Sequence, residues 1–332
     1  MRADVHQHVW TEPLLDALAR RRSPPFLEHS DRLCVVHSAG EHPYAIDPHT
    51  ERSEKRNELL DSDRLDAAIV APSSPIGIET LPRDSAQPLI EAHLAGVGAL
   101  GERFQTWGPL VLDECQRDEV DSLLDRGCIG ISLPATALTG PDALHAIAPV
   151  LERIEARDAP LFIHPGPPPS NLSWEASPTE PPWWRALTDY VAQMQTAWLT
   201  LTALWRRDHP RLVVVFAMLA GGAPLLSERL QARGGPSVAL RDRRIFYDTS
   251  SYGPAAVEAM ASRSGSTSSC MAPTGQSSNR RETSATTSSS RTRRTCSSHT
   301  RGAGYEPHRP ATEGVRGEPR GLARALATPR QA

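Results

Sequence analysis

The run Leu212-Val213-Val214-Val215-Phe216 has no polar residue anywhere in it. A strand with one wet face alternates apolar and polar side chains. An unbroken run needs cover on both faces, which is the pattern of parallel strands flanked by helices. Runs of this kind recur, and strands are predicted at 3–9, 66–71, 108–112, 128–133, 159–164, 211–218 and 244–248. Helices are predicted between them at 85–100, 118–126, 141–156, 184–207 and 224–232. The last carries Leu225, Leu226 and Leu230 at helical spacing. Strand and helix in regular alternation give an α/β fold. Seven strand signals fit a (β/α)8 TIM barrel lacking one strand better than they fit an open sheet.

Two long connections interrupt the alternation. Residues 20–60 are polar, and residues 165–183 are Pro-rich and hold Trp174 and Trp183, with Trp184 just beyond. A barrel builds its site from the loops that follow its strands, so these segments would cover the mouth. Trp10, Trp174, Trp183 and Asp248 are candidates to line a substrate there, and the tryptophans suit a flat or aromatic molecule.

His6 and His8 flank Gln7 at the end of the first predicted strand. Residues i and i+2 of a strand share a face, so the two imidazoles stand side by side. His164 ends another apolar strand and is followed at once by Pro165. Three imidazoles at strand ends are a ligand set for one divalent metal, and nitrogen donors suit zinc. Asp248 ends the seventh strand and reads as a hydrogen-bonding carboxylate or a surrogate near the metal. Arg126, Arg206 and Arg207 read as solvated, as do His29, His37, His42 and His49. Cys128 reads as a small core residue.

These motifs, with Phe162-Ile163-His164-Pro165-Gly166, Phe216-Ala217-Met218-Leu219-Ala220-Gly221-Gly222 and Tyr247-Asp248-Thr249-Ser250-Ser251, resemble the amidohydrolase-related family. That is the branch of the metal-dependent hydrolase superfamily that includes aminocarboxymuconate-semialdehyde decarboxylase and resorcylate decarboxylases. The resemblance spans residues 1–262 and implies a barrel with one metal, usually zinc, bound by His6, His8 and His164. It implies hydrolysis of a C–N or C–O bond of a small organic substrate by a metal-activated water. The alternative is non-oxidative decarboxylation of a small aromatic or unsaturated acid. The family usually places a His after the sixth strand to orient or deprotonate the water. Met218 stands there, and a thioether is no base at neutral pH. His209 precedes that strand and belongs to the opposite end of the barrel. The family also closes with an eighth strand carrying an Asp in a Tyr-Gly-Ser-Asp type motif, which is absent after Asp248.

Composition explains where that strand went. Of 36 basic and 39 acidic residues in 332, twelve Arg and four Glu fall in 263–332, so this tail carries +8 and the preceding body -11. The tail has five large apolar residues and cannot offset its chain entropy by burial, so it is predicted to be disordered. Residues 264–278, written in GC-rich codons and shifted by one base, read Val-Gly-Val-Asp-Gln-Leu-Val-Tyr-Gly-Ser-Asp-Arg-Pro-Val-Val. Third bases are degenerate, so the codon set is not unique, but the shifted frame recovers the missing motif. The tail therefore reads as an out-of-frame continuation of a barrel gene. Loss of the strand would leave unpaired edges on strands one and seven, and a second alternative, after decarboxylation, is an inactive frameshifted product.

The overall charge of -3 argues against nucleic acid as the main partner. No apolar run approaches the roughly 20 residues of a membrane span. The acidic, His-bearing N-terminus does not read as a leader, and five scattered Cys form no CxxC pair. A cytoplasmic protein acting on a small molecule is expected, with homo-oligomerisation left open.

Overall fold

The computed structural model describes residues 2–39, 41–113, 115–167, 179–265 and 269–270. Its strands are β1 (Ala3–Gln7), β2 (Phe26–Ser30), β3 (Leu33–His37), β4 (Tyr44–Ile46), β5 (Ala67–Val70), β6 (Phe104–Pro109), β7 (Gly130–Pro134), β8 (Pro160–His164), β9 (Val213–Phe216), β10 (Ile245–Asp248) and β11 (Ser269–Cys270). Its α-helices are α1 (Glu12–Ala19), α2 (Ser53–Ser62), α3 (Arg83–Ala99), α4 (Arg117–Asp125), α5 (Pro141–Ala156), α6 (Trp184–Leu187), α7 (Asp189–Leu199), α8 (Ser227–Ala232) and α9 (Pro254–Ser264).

The main sheet runs β1-β5-β6-β7-β8-β9-β10-β11, and every neighbouring pair is parallel. This is an incomplete TIM barrel, as the apolar runs predict. β5, β7, β8, β9 and β10 are buried at every residue, because the helices cover one face and the barrel interior fills the other. Trp107, Trp198, Tyr247, Phe162 and Phe216 are the largest fully buried side chains, and Trp107 stacks on Phe162 with ring centroids 5.2 Å apart.

The eighth position holds a two-residue strand. Ser269 aligns with Tyr247 and Cys270 with Asp248. Among the described residues nothing pairs with the far edge of β1, so the barrel does not close. Ser269 and Cys270 are the residues whose neighbouring frame reads Leu-Val. Of the other tail residues expected to be disordered, Arg263 and Ser264 instead form the last turn of α9, with Ser264 buried, Gly265 caps it, and the rest lie outside the described residues.

Two predicted segments are corrected. The third barrel strand covers Phe104–Pro109 rather than 108–112. Pro109 lacks the N–H that would continue the ladder, so the apolar Leu110 and Val111 pack as loop residues. Residues 20–60 are not an irregular connection. They fold into the antiparallel sheet β2-β3-β4 and α2. Asp31 and Arg32 form the two-residue turn between β2 and β3, with Asp31 at φ 52°. Trp10, Leu14, Leu15, Leu27, Val36 and Ile46 join this sheet to α1 and α3 in a second core cluster.

Candidate metal centre

β1 and β8 deliver the three imidazoles to one point. His6 Nε2 lies 3.1 Å from His8 Nε2, and His8 Nε2 lies 3.3 Å from His164 Nε2. The rings meet edge to face, with centroids 4.8–4.9 Å apart. Among the described residues these three form the one cluster of His, Cys, Asp or Glu whose donor atoms could grip a single ion.

Each ring is held from behind. His8 Nδ1 lies 3.0 Å from the Ala71 carbonyl, and His164 Nδ1 lies 2.7 Å from the Pro165 carbonyl. His6 Nδ1 lies 2.7 Å from Asp248 Oδ2 and 2.9 Å from Ser250 Oγ. A carbonyl or carboxylate oxygen only accepts, so each Nδ1 carries the proton and each Nε2 is left with a bare lone pair. Three lone pairs facing one another repel unless a cation sits among them. The donor set therefore fits a divalent metal.

Electrostatics agree. Burial, helped by His6, pulls His8 down to about 3, and burial also pushes His164 well below its ordinary value. Both are neutral at physiological pH, as ligands must be. Burial works to lower His6, but the charge and hydrogen bond of Asp248 outweigh it and the net direction is upward. The negative charge that favours a second proton on His6 Nε2 equally favours a metal ion there. Burial works to raise Asp248, but His6 and the Ser250 hydrogen bonds outweigh it and keep its carboxyl below the ordinary range. Asp4, one pleat below, accepts from the His6 N–H and the Gln7 amide, both at 3.0 Å, and burial raises its carboxyl.

Asp248 reaches the imidazole from the Nδ1 side and does not join the ligand cluster. Met218, half-buried, begins a left-handed turn after β9. Met218, Leu219 and Ala220 have φ of 52°, 51° and 53°, a conformation that costs each L-residue about 1–2 kcal/mol. Gly221 continues it at φ +61°, where a Cβ would come 2.5 Å from the Val191 carbonyl oxygen. Met218 donates its backbone N–H to Asp248 Oδ2 at 3.4 Å.

The tryptophans separate. Trp10 is buried, edge to face with Tyr44. Trp183 is 55% exposed beside Trp184, and Trp174 lies outside the described residues. Arg126 pairs with Glu91 and Arg206 with Asp242, while Arg207 is exposed. Cys128 is buried in the core, and His209 stacks on Trp205 and pairs with Glu155. Sequence reasoning missed Ser250, whose one signal was its place two residues after Asp248. It also missed Glu51 and Arg56, which lie in the polar connection and grip the backbone beside His8.

No protein-family model and no curated protein sequence matches the chain. Solved structures do. The IDCase of Metarhizium anisopliae is 16% identical, with a TM-score of 0.63 over 83% of this chain and 84% of that one. The 5-carboxyvanillate decarboxylase of Novosphingobium aromaticivorans, solved with manganese and 3-methoxy-4-hydroxy-5-nitrobenzoic acid, is 17% identical, with a TM-score of 0.60 over 82% and 86%. The 2,6-dihydroxybenzoate decarboxylase of Rhizobium is 16% identical, with a TM-score of 0.57 over 84% and 90%. At these identities the likeness is one of fold. No helix among the described residues is long and apolar enough to cross a membrane.

Proposed function

We propose that residues 1–262 form a metal-dependent lyase of the amidohydrolase-related family, which removes carbon dioxide from a small aromatic or unsaturated carboxylic acid. The observation that carries this reading is the convergence of three Nε2 atoms whose Nδ1 atoms are all engaged. His6, His8 and His164 would hold a divalent cation, which would supply Lewis-acid chemistry toward a substrate carboxylate. Zinc suits the imidazole donors, and the Novosphingobium enzyme holds manganese.

The choice of lyase over hydrolase rests on the similar structures: two of the three named above are decarboxylases by name. Met218 does not separate the two reactions, because a thioether neither takes a proton from water nor delivers one to carbon. Decarboxylation breaks the bond between carbon and carboxylate, releases carbon dioxide, and draws the replacing proton from solvent. The histidines orient the acid, and Phe162, 5.0 Å from His6 between ring centroids, closes the floor against water.

The test is a panel of carboxyl-labelled hydroxybenzoates and unsaturated diacids offered to the metal-loaded chain. Release of labelled carbon dioxide, lost in His6→Ala, supports the lyase. Turnover of amides or esters instead would favour the hydrolase. Activity undiminished in His6→Ala would overturn metal catalysis altogether.

A further inference from the structure

Asp248 is fully buried at the end of β10 and accepts from every side. His6 Nδ1–H donates to Oδ2 at 2.7 Å. The Ser250 N–H donates to Oδ1 at 3.1 Å. The Ser250 hydroxyl donates to Oδ2, and the Met218 N–H reaches Oδ2 at 3.4 Å. A buried carboxylate so supplied keeps its charge and its orientation. Ser250 Oγ gives its proton to Asp248, so its lone pair is what faces His6 Nδ1 at 2.9 Å. Both oxygens thus fix the same proton on the same nitrogen.

No carboxylate among the described residues joins the imidazole cluster. A dication there, held by three neutral ligands, gains negative charge from this chain through a ligand. We infer that Asp248, clamped by Ser250, is the positioning residue of the centre: it locks the His6 tautomer and lends its charge to the ion through the imidazole, without touching the ion. The inference rests on the metal-centre reading. A carboxylate behind a ligating His raises its basicity, and losing such a partner typically weakens metal binding about 10–100-fold.

The test is competitive titration of Zn2+, and separately of Mn2+, into the 332-residue chain, with thermal unfolding measured alongside. Asp248→Asn keeps the shape and removes the charge. Its metal Kd is expected to rise about 10–100-fold, and Ser250→Ala is expected to raise it several-fold. Tyr247→Phe is the structural control, because Tyr247 accepts from Trp198 Nε1 at 3.0 Å in the core and touches no ligand. It is expected to lower the unfolding temperature and leave the metal Kd unchanged. The Co2+ visible spectrum should shift in Asp248→Asn and not in Tyr247→Phe. Wild-type affinity in Asp248→Asn overturns the inference alone, and so does a loss that Tyr247→Phe reproduces. If Asp248→Asn does not fold, Ser250→Ala decides, and an unchanged Kd there overturns the inference. Failure of the unaltered chain to bind either ion saturably overturns the metal centre itself.

Discussion

Arg56 and Glu51 form a buried ion pair that grips the end of the ligand-bearing strand from both sides. Arg56 Nη2 donates to the His8 carbonyl at 3.2 Å, and Glu51 Oε2 accepts the Trp10 N–H at 2.9 Å. Removing one member leaves the other charge buried and unpaired, which costs about 3–5 kcal/mol. Glu51→Ala is therefore expected to lower the unfolding temperature strongly and to weaken metal binding by loosening His8. A double Glu51→Leu, Arg56→Met variant should recover most of the stability and little of the affinity. Calorimetry and metal titration on the same samples check both parts.

Met218 invites a gain of function. Met218→His would place an imidazole at the family's base position on a turn whose φ of 52° His tolerates better than Met does. Expected outcomes are unchanged or higher stability, unchanged metal Kd, and a rise in turnover of up to about a hundredfold to ten-thousandfold if the new group handles a proton. A steady-state pH profile gaining a limb near the ordinary His range checks the role.

Glu79 gives a pH signature away from the metal. It is fully buried, accepts from Ser74 Oγ at 2.5 Å, and has no partner for Oε2. Burial raises its carboxyl above the ordinary 4.5, with the hydrogen bonds working weakly the other way. A carboxyl raised by folding contributes stability below its unfolded value and loses it as pH climbs through its folded one. The chain should therefore lose stability as pH rises above about 4.5 relative to Glu79→Gln. At neutral pH the variant should be more stable, by about 1–3 kcal/mol. Urea midpoints from pH 4 to 8 would show the two curves diverging, and parallel curves would refute the assignment.

The fourth prediction concerns the reading frame, which we propose shifts at about residue 263. If Ser269 uses a TCN codon, the shifted codon is NTC and encodes Leu, Ile, Val or Phe, and Cys270 yields NTG, for Leu, Met or Val. Met271 followed by Ala272 forces GGC, for Gly. An apolar pair thus falls where β11 lies beside β10. A chain translated in that frame from residue 264 is expected to be more soluble, to unfold at higher temperature, and to bind metal more tightly than the 332-residue chain. Sequencing codons 260–280 and side-by-side expression check it.

The barrel was legible because parallel strands buried on both faces write themselves as apolar runs, and β8 and β9 lie inside their predicted ranges. Helix 141–156 was equally clear, since Leu144, Ile147, Val150, Leu151 and Ile154 repeat on one face. The antiparallel sheet β2-β3-β4 was not. Its exposed positions carry Glu28, His29 and Ser30, and its burial alternates in too short a span to separate from a polar loop. The histidine cluster followed from His6-Gln7-His8 and the Pro165 stop. The partners behind each ring did not, because two of them are main-chain carbonyls, to which any residue type contributes alike. Asp248 was visible as a strand-end carboxylate, but that it stands behind His6 depends on how β10 and β1 face each other across the barrel.

The edge of β1, unpaired among the described residues, has a dynamic consequence. Two of the three ligands sit at the end of that strand, and the third sits across the barrel on β8. An ion among them is a rivet: β1 cannot peel away without breaking its contacts. Amide hydrogen exchange in β1 should therefore slow on metal loading while β7, paired on both sides, exchanges as before. Release of the ion and fraying of the strand then become one event, so the lifetime of the loaded state is set by the opening rate of a sheet edge.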